Sequence, residues 1–437
     1  MSMEHIQRIF WFRRDLRLHD NHGLFESLSR GGTMGLFIFD AQILSRLQDK
    51  TDRRVAFIHL QLQRLQHEIK ARGGTLHVVH GDVLDVWKLL LERLHPAEVF
   101  ANEDYEPYAR QRDARVAELL KSKGAEFHLC KDQVMCAPDE IQSGSGGPYS
   151  VYTPYSRVWL ERAARVSLQP RYASETVQGG WVQAEGFGQL PALQAMGFEK
   201  TDFQFPAQEV GNHIIREYAE TRNTPSLDAT SKLGVHLRFG TISIRDLYRQ
   251  AVQQSETFVK ELAWREFFMH VLWHHPRVVD RAFKPAYDAI PWLNREEDIE
   301  RWCQGQTGYP IVDAGMRELL ATGFMHNRVR MVVAGFLVKH LLVDWRIGEA
   351  WFARHLLDFE LASNNGNWQW AAGTGCDAAP YFRVFNPTTQ AAKFDTKGTY
   401  IRRWVPEIES FSYPKPMVEH AAARLRAIET YQKALGK

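Results

Sequence analysis

Cysteine is scarce in this chain. Only Cys130, Cys136, Cys303 and Cys376 occur in 437 residues, and no two stand as CxxC. That excludes a disulfide-stapled scaffold and predicts reduced thiols in a cytoplasmic protein. Long apolar runs are missing too. The longest, Met331–Val338, is fenced by Arg330 and Lys339, far short of the roughly 20 residues a membrane span needs. The N-terminal MSMEHIQRIF has no basic-then-apolar signal, so a soluble location is expected and no membrane. Charge of one sign is absent: 54 Lys+Arg oppose 52 Asp+Glu, for a net +2. A strongly basic nucleic-acid coat protein is thereby excluded, though not a local basic face. Glycine is lacking where a dinucleotide fingerprint would need it, because the first strand runs into RRDLRLHDN. No P-loop, HExxH or GxSxG motif appears. His270 and His274 have metal-ligand spacing on one helix, but without a third ligand they read as packing, and no metal is expected.

What is present has two textures. IFWF (9–12), MGLFIF (34–39), TLHVVH (75–80), EVFAN (98–102) and EFHLC (126–130) read as strands. Between them 52–72, 83–94 and 108–123 carry apolar residues at helical spacing. The alternation predicts an α/β domain over 1–130, an open parallel sheet of the Rossmann-like kind with helices on both faces. Ligands in such sheets sit beyond the carboxyl ends of the strands. Gly-, Pro- and Gln-rich stretches make 131–206 an interdomain linker. From 207 to 437 the pattern is helical, with helices expected over 258–274, 311–322, 327–343 and 348–356.

Tryptophan is the unusual component. Four of the 13 precede residue 206 and nine follow it, which points to aromatic work in the helical half. There, DFELASNNGNWQWAAGTGCDAAPYFRVFNP (358–387) mixes small residues, amides and aromatics. Small residues let helices approach a flat ligand, and Asn364 and Asn365 offer donors and acceptors. Thr230, Ser231 and Lys232 look like a helix start suited to a phosphate. ELAWREFFMH (261–270) sets Glu261 and Trp264 on one helix face. Arg265, Arg328, Arg383, Lys393, Arg402 and Arg403 interleave with Trp264, Trp370, Tyr381, Phe382 and Trp404, a mixture suited to a nucleic acid whose base leaves the helix.

These segments together are identified with a known family. WFRRDLRLHDN (11–21), ELAWREFF (261–268), GYPIVDAGMRELLATGFMHNRVRM (308–331), NNGNWQWAAGTGCDAAPYFRVFNPTTQ (364–390) and IRRWVPEI (401–408) resemble the DNA photolyase/cryptochrome family over essentially the whole chain. The match is most like its bacterial members that act on cyclobutane pyrimidine dimers. Photolyases are a standard example of base-flipping enzymes. The resemblance implies FAD in the helical domain, damaged DNA as partner and a monomer. Tyr218, Thr230, Ser231, Lys232, Leu233 and Ser243 would lie along the adenine and phosphates. Glu261, Arg265, Asn327, Arg330, Asp358, Glu360 and Asn364 would surround the rest. Glu261, Asn327, Met331 and Asn364 would form the reactive cavity, with Trp264 and Trp370 flanking the lesion. Arg222, Arg265, Arg328 and Arg383 would grip DNA, and Trp368, Trp345 and Trp292 would relay electrons.

Asn364 stands where photolyases keep an amide, while plant cryptochromes have Asp and animal ones Cys; the resemblance therefore implies repair rather than signalling. HNRVRM (326–331) lacks the His pair of (6-4)-repairing relatives, which points to cyclobutane dimers. Two positions depart from the pattern. Gly234 replaces a Ser of many relatives, removing a phosphate donor. In EDYEPYARQRD (103–113), Ala109 stands where the folate-binding pattern has Glu. With FDAQIL (39–44), this implies a deazaflavin- or flavin-type antenna chromophore.

Overall fold

β1 (Arg8–Phe12) is buried from Ile9 onward, as a strand covered on both faces must be. Around it the computed structural model, which describes residues 6–144 and 146–436, builds five parallel strands. β2 (Thr33–Asp40), β3 (Leu76–Gly81), β4 (Glu98–Asn102) and β5 (Glu126–Cys130) complete the order β3-β2-β1-β4-β5. Each lies within a residue or two of the run expected from its β-rich composition. The intervening helices begin where side chains can satisfy their free N–H groups. Asn21 caps His22–Ser29, Asp52 caps Arg53–Ala71 and Asp82 caps Val83–Leu94. Pro107 opens Pro107–Ser122, where its missing N–H costs nothing.

The chain forms two compact units that interleave in sequence. The first takes residues up to Ala137, Leu160–Glu209 and Lys232–Gln250; the second takes Pro138–Trp159, Val210–Ser231 and everything from Ala251. This division differs from an expected linker over 131–206 and a helical domain from 207. The first reason is packing: Tyr152–Ser167 is a helix, Trp159 within it is fully buried, and Thr33 pairs with Trp181. The second is buried charge. Arg245, from 232–250, donates to Asp20 at 2.8 Å and to Asp132 at 2.8 Å, while Arg17 also holds Asp132 at 2.8 Å. Burial pushes the Asp132 carboxyl up, but Arg17 and Arg245 outweigh it and hold the group at about 2.

In the second unit, Glu256–His274, Pro310–Thr322, Trp345–His355 and Leu361–Ala372 are helices. The helix expected over 327–343 is interrupted. It is α-helical over Asn327–Gly335, widens to a π-turn over Phe336–His340, and ends before Leu342, which takes φ +50°. Lys339 within the wide turn is buried, donating to the Ala372 and Tyr381 carbonyls at 2.9 and 3.3 Å. Its amine thus satisfies the last carbonyl of the neighbouring Leu361–Ala372 helix, and burial lowers its pKa well below that of an exposed lysine. No helix among the described residues is long and apolar enough to cross a membrane.

Candidate active site

A cavity opens in the second unit, lined by polar, aromatic and small side chains. Two helices supply most of its wall, each at helical spacing. Asn327, Arg330, Met331 and Ala334 come from one; Ser363, Asn364, Asn367, Trp368, Trp370 and Ala371 come from the other, with Asp358 and Glu360 just ahead of it. The second helix lies tightly against Glu256–His274 because position 366 is glycine: a Cβ there would sit 2.1 Å from the Phe268 ring.

The wall is polar and internally braced. Arg330 pairs with Asp358 at 3.0 Å and donates to the Met325 carbonyl at 2.7 Å. Arg265 reaches Glu360 at 3.3 Å, which ties the Glu256–His274 helix to this wall. Asn364 is buried, and its amide donates to Glu349 Oε1 at 2.9 Å. Burial pushes the Glu349 carboxyl up, with the Asn364 bond opposing. His326 caps the Asn327 helix through Nδ1; its buried Nε2 has no partner among the described residues. Burial, aided by Arg330, Arg328 and Arg222, lowers that imidazole to about 4.

Beside the cavity-forming helix Asn327–Gly335 stands a positive cluster. Burial lowers the Arg328 pKa, and Arg222 and Arg383 repel its charge further. Arg328 donates to Asn223 at 2.6 Å and to Met331 Sδ at 3.3 Å, both neutral acceptors. Arg222 donates to Glu261 Oε1 at 2.5 Å, and Arg383 is exposed. Three guanidiniums of this kind, one neutralised by a carboxylate, suit a polyanion.

The tryptophans separate by environment. Trp370 is half-buried and lines the cavity. Trp264 is half-buried, but Tyr152 covers one of its faces, with rings 3.6 Å apart at 6°. Trp368 and Trp345 are 2% and 1% exposed in one core, with Trp292 packed against it. Trp302 meets the Trp368 ring edge-on at 6.1 Å.

Several expected cofactor residues lie elsewhere. Thr230 and Ser231 belong to the second unit with Tyr218, whereas Lys232, Leu233 and Ser243 belong to the first. The expected helix start at 230–232 is displaced: Lys232 has φ +52° and the helix is Gly234–Arg238. A residue in the left-handed region cannot be helical. Ser243 is buried, and its hydroxyl donates to Asp20, which leaves it facing an internal ion pair rather than a phosphate. In the first unit, the β1–β4 switch point is filled by the chain itself. Asn102 bonds Asp15 at 2.6 Å and Asn21 at 2.8 Å, and accepts from the Gly23 amide at 2.9 Å. Burial raises Asp15 to about 6. At the β2 end, Tyr108 donates to Asp40 at 2.5 Å, and Ala109 is buried. His270 accepts from the Tyr149 amide at 3.1 Å and contacts the Pro138 carbonyl, as does His274; both meet backbone atoms. Residues that periodicity did not single out are Tyr152, Asn223, Trp302 and Glu349, each brought in by a side-chain contact distant in sequence.

Residues 8–174 match the family model described as DNA photolyase, and 258–412 match that for the FAD binding domain of DNA photolyase. The deoxyribodipyrimidine photo-lyase of Synechococcus sp. is 40% identical over 94% of this chain and 90% of its own length. The chain belongs to the DNA photolyase family. The crystal structure of an archaeal photolyase from Sulfolobus tokodaii, which contains two FAD molecules, superposes with a TM-score of 0.86 at 33% identity, covering 98% of this chain and 99% of that one. A Synechocystis sp. PCC6803 cryptochrome gives 0.84 at 26%, covering 98% and 100%. The fold is thus shared by proteins named photolyase and cryptochrome. This member carries its FAD-binding domain, and the cavity residues suit such a ligand. Asn364, Arg330 and Asp358 provide hydrogen-bonding edges and both charges, while Ala334 and Ala371 leave room for a flat ring system.

Proposed function

We propose that this photolyase-family protein repairs cyclobutane pyrimidine dimers in DNA under light. The observation that carries the reading is the placement of the Arg222–Arg328–Arg383 cluster beside the wall of Asn327, Met331, Asn364 and Trp370. Asn364, Arg330 and Asp358 would hold FAD, which when reduced and excited by light would supply an electron to open the cyclobutane ring and would recover it afterwards. The protein's task is to bring the lesion there. The arginines hold flanking phosphates, while Trp370 offers a stacking face for a flipped base, worth about 1–3 kcal/mol. Flipping costs a few kcal/mol and least for a damaged pair, which gives selectivity. Glu261 offers a carboxyl to the base edges, and Asn364, braced by Glu349, would offer its amide oxygen to the bound cofactor. Trp292, Trp345 and Trp368 relay electrons inward. Enzyme rather than photoreceptor is favoured by Asn364, whose amide is held by Glu349 and has no acidic proton to give.

Illuminating the reduced holoprotein with dimer-containing oligonucleotide is expected to restore intact thymines, and a dark control is expected to restore none. Dimers that persist under light, with FAD bound and reduced, sink the reading. Repair of (6-4) lesions instead would reassign the substrate. The second chromophore is proposed to be of the flavin or deazaflavin type, since Ala109 puts a buried methyl where a folate-type site has a carboxylate. Absorption of the purified protein before and after denaturation checks this: a released folate spectrum would contradict it.

A further inference from the structure

The ion pair between Arg222 and Glu261 joins two residues that the proposed function uses for different purposes, one for phosphate and one for the base. Glu261 sits on the helix Glu256–His274, and Arg222 follows the short helix Tyr218–Thr221. Their side chains are 24% and 32% exposed, and a guanidinium N–H lies 2.5 Å from Oε1. The carboxyl's other close neighbours bring no positive charge. Tyr152, whose O–H goes to the Lys260 carbonyl at 2.8 Å, and Tyr218, 5.3 Å beneath the Arg222 guanidinium, supply only rings. The cations on its own helix are engaged elsewhere: Lys260 with Glu256 at 2.6 Å and Arg265 with Glu360. Arg222 is therefore the ion partner of Glu261 among the described residues.

DNA brought to this place would compete for the Arg222 guanidinium. A backbone phosphate offers the same guanidinium a second charge-assisted, bidentate acceptor, and Arg328 and Arg383 draw it to this place. With about a quarter of its surface exposed, the guanidinium can reach solvent and exchange partners. Once the guanidinium turns to phosphate, Glu261 keeps its burial, loses its cation and gains a negative neighbour. Burial and both changes favour the neutral acid. We infer that Arg222 is a positioning residue that holds Glu261 as a carboxylate until a DNA phosphate takes the guanidinium, whereupon Glu261 takes up one solvent proton. As a carboxylic acid it donates an O–H to a base carbonyl, which a carboxylate cannot do. Protonation of the lesion-facing group is thus tied to occupation of the phosphate site. This rests on the repair reading above.

The test is infrared difference spectroscopy of the holoprotein in the dark, with Glu261→Gln identifying the band. Without DNA at neutral pH, unaltered protein is expected to show no Glu261 carboxylic-acid C=O stretch. Arg222→Gln should raise the proton affinity of Glu261 at least about tenfold, and Arg222→Lys should largely restore the unaltered pH titration. Adding dimer-containing oligonucleotide to unaltered protein should bring up the acid band, and Glu261→Gln should lack it. An acid band in the DNA-free protein, an unmoved titration in Arg222→Gln, or no band with DNA bound each overturns the coupling. Repair that proceeds with no band leaves the repair reading standing and removes only this inference. If dimer DNA is neither bound preferentially nor repaired, the repair reading falls, and so does a role for Arg222 in it.

Discussion

Trp368→Phe is expected to abolish light-driven reduction of the bound flavin while leaving repair by chemically prereduced protein close to normal. An indole gives up an electron far more readily than a benzene ring, so phenylalanine interrupts a relay without removing the aromatic volume that fills the site. The packing tolerates the exchange because the slot is made by neighbours, not by a bond. Trp368 is 2% exposed and meets Phe352 edge-on at 4.9 Å and 79°. Gly348 leaves the space its ring occupies, since a Cβ there would lie 2.2 Å from Cη2. A stability loss of about 1–3 kcal/mol is expected, the ordinary range for a core substitution. Trp302→Phe is the control. Trp302 touches the same ring at 6.1 Å, but its N–H is held by the Val333 carbonyl at 3.3 Å and it lies outside the implied relay. Transient absorption of the oxidised holoprotein after a flash should show loss of reduction in Trp368→Phe only. If Trp368→Phe also stops repair by prereduced protein, its main task is shaping the cavity that it lines.

The cavity was legible in the sequence where its walls are local. The family resemblance names Asn327, Arg330, Met331, Asn364 and Trp368, and helical spacing then brings each set to one face; the resemblance does not single out Ala334 or Ala371. The five strands were equally readable, because a doubly covered parallel strand demands an unbroken apolar run. What periodicity cannot encode is a side chain's choice of distant partner. Tyr152 covering Trp264, Glu349 bracing Asn364 and Arg222 meeting Glu261 depend on chain crossings that local spacing does not specify. The same limit explains 230–250: its hydroxyls look like phosphate donors, yet Lys232 turns left-handed and Ser243 faces Asp20. The family resemblance supplied residue types at these positions. The structure supplies their packing, and in the first unit that packing is electrostatic.

Asp132→Ala should therefore be among the most damaging single changes in the first unit, at about 3–5 kcal/mol of stability. Asp132 has no exposed side-chain surface, and its two oxygens accept from Arg17 at 2.9 and 2.8 Å, from Arg245 at 2.8 Å and from the His22 amide at 3.2 Å. Removing it leaves Asp20 as the only remaining acid in the quartet of Arg17, Arg245, Asp20 and Asp132, so a buried cation loses its compensation. The cost is dominated by that orphaned charge rather than by the bonds lost. Arg17→Met combined with Asp132→Leu should therefore recover a large part of the deficit, although it removes more hydrogen bonds. The acid dependence follows from the carboxyl being held at about 2. Its folded value is depressed, so its contribution is fully present above the unfolded value of about 4 and fades as pH falls through 2. Urea titrations of the full chain at pH 7 and at pH 3 measure both effects. Asp132→Ala should lose less relative to the unaltered protein at pH 3. A double variant no more stable than Asp132→Ala would mean that the ion pairs themselves, not the avoided orphan charge, hold 232–250 to the sheet.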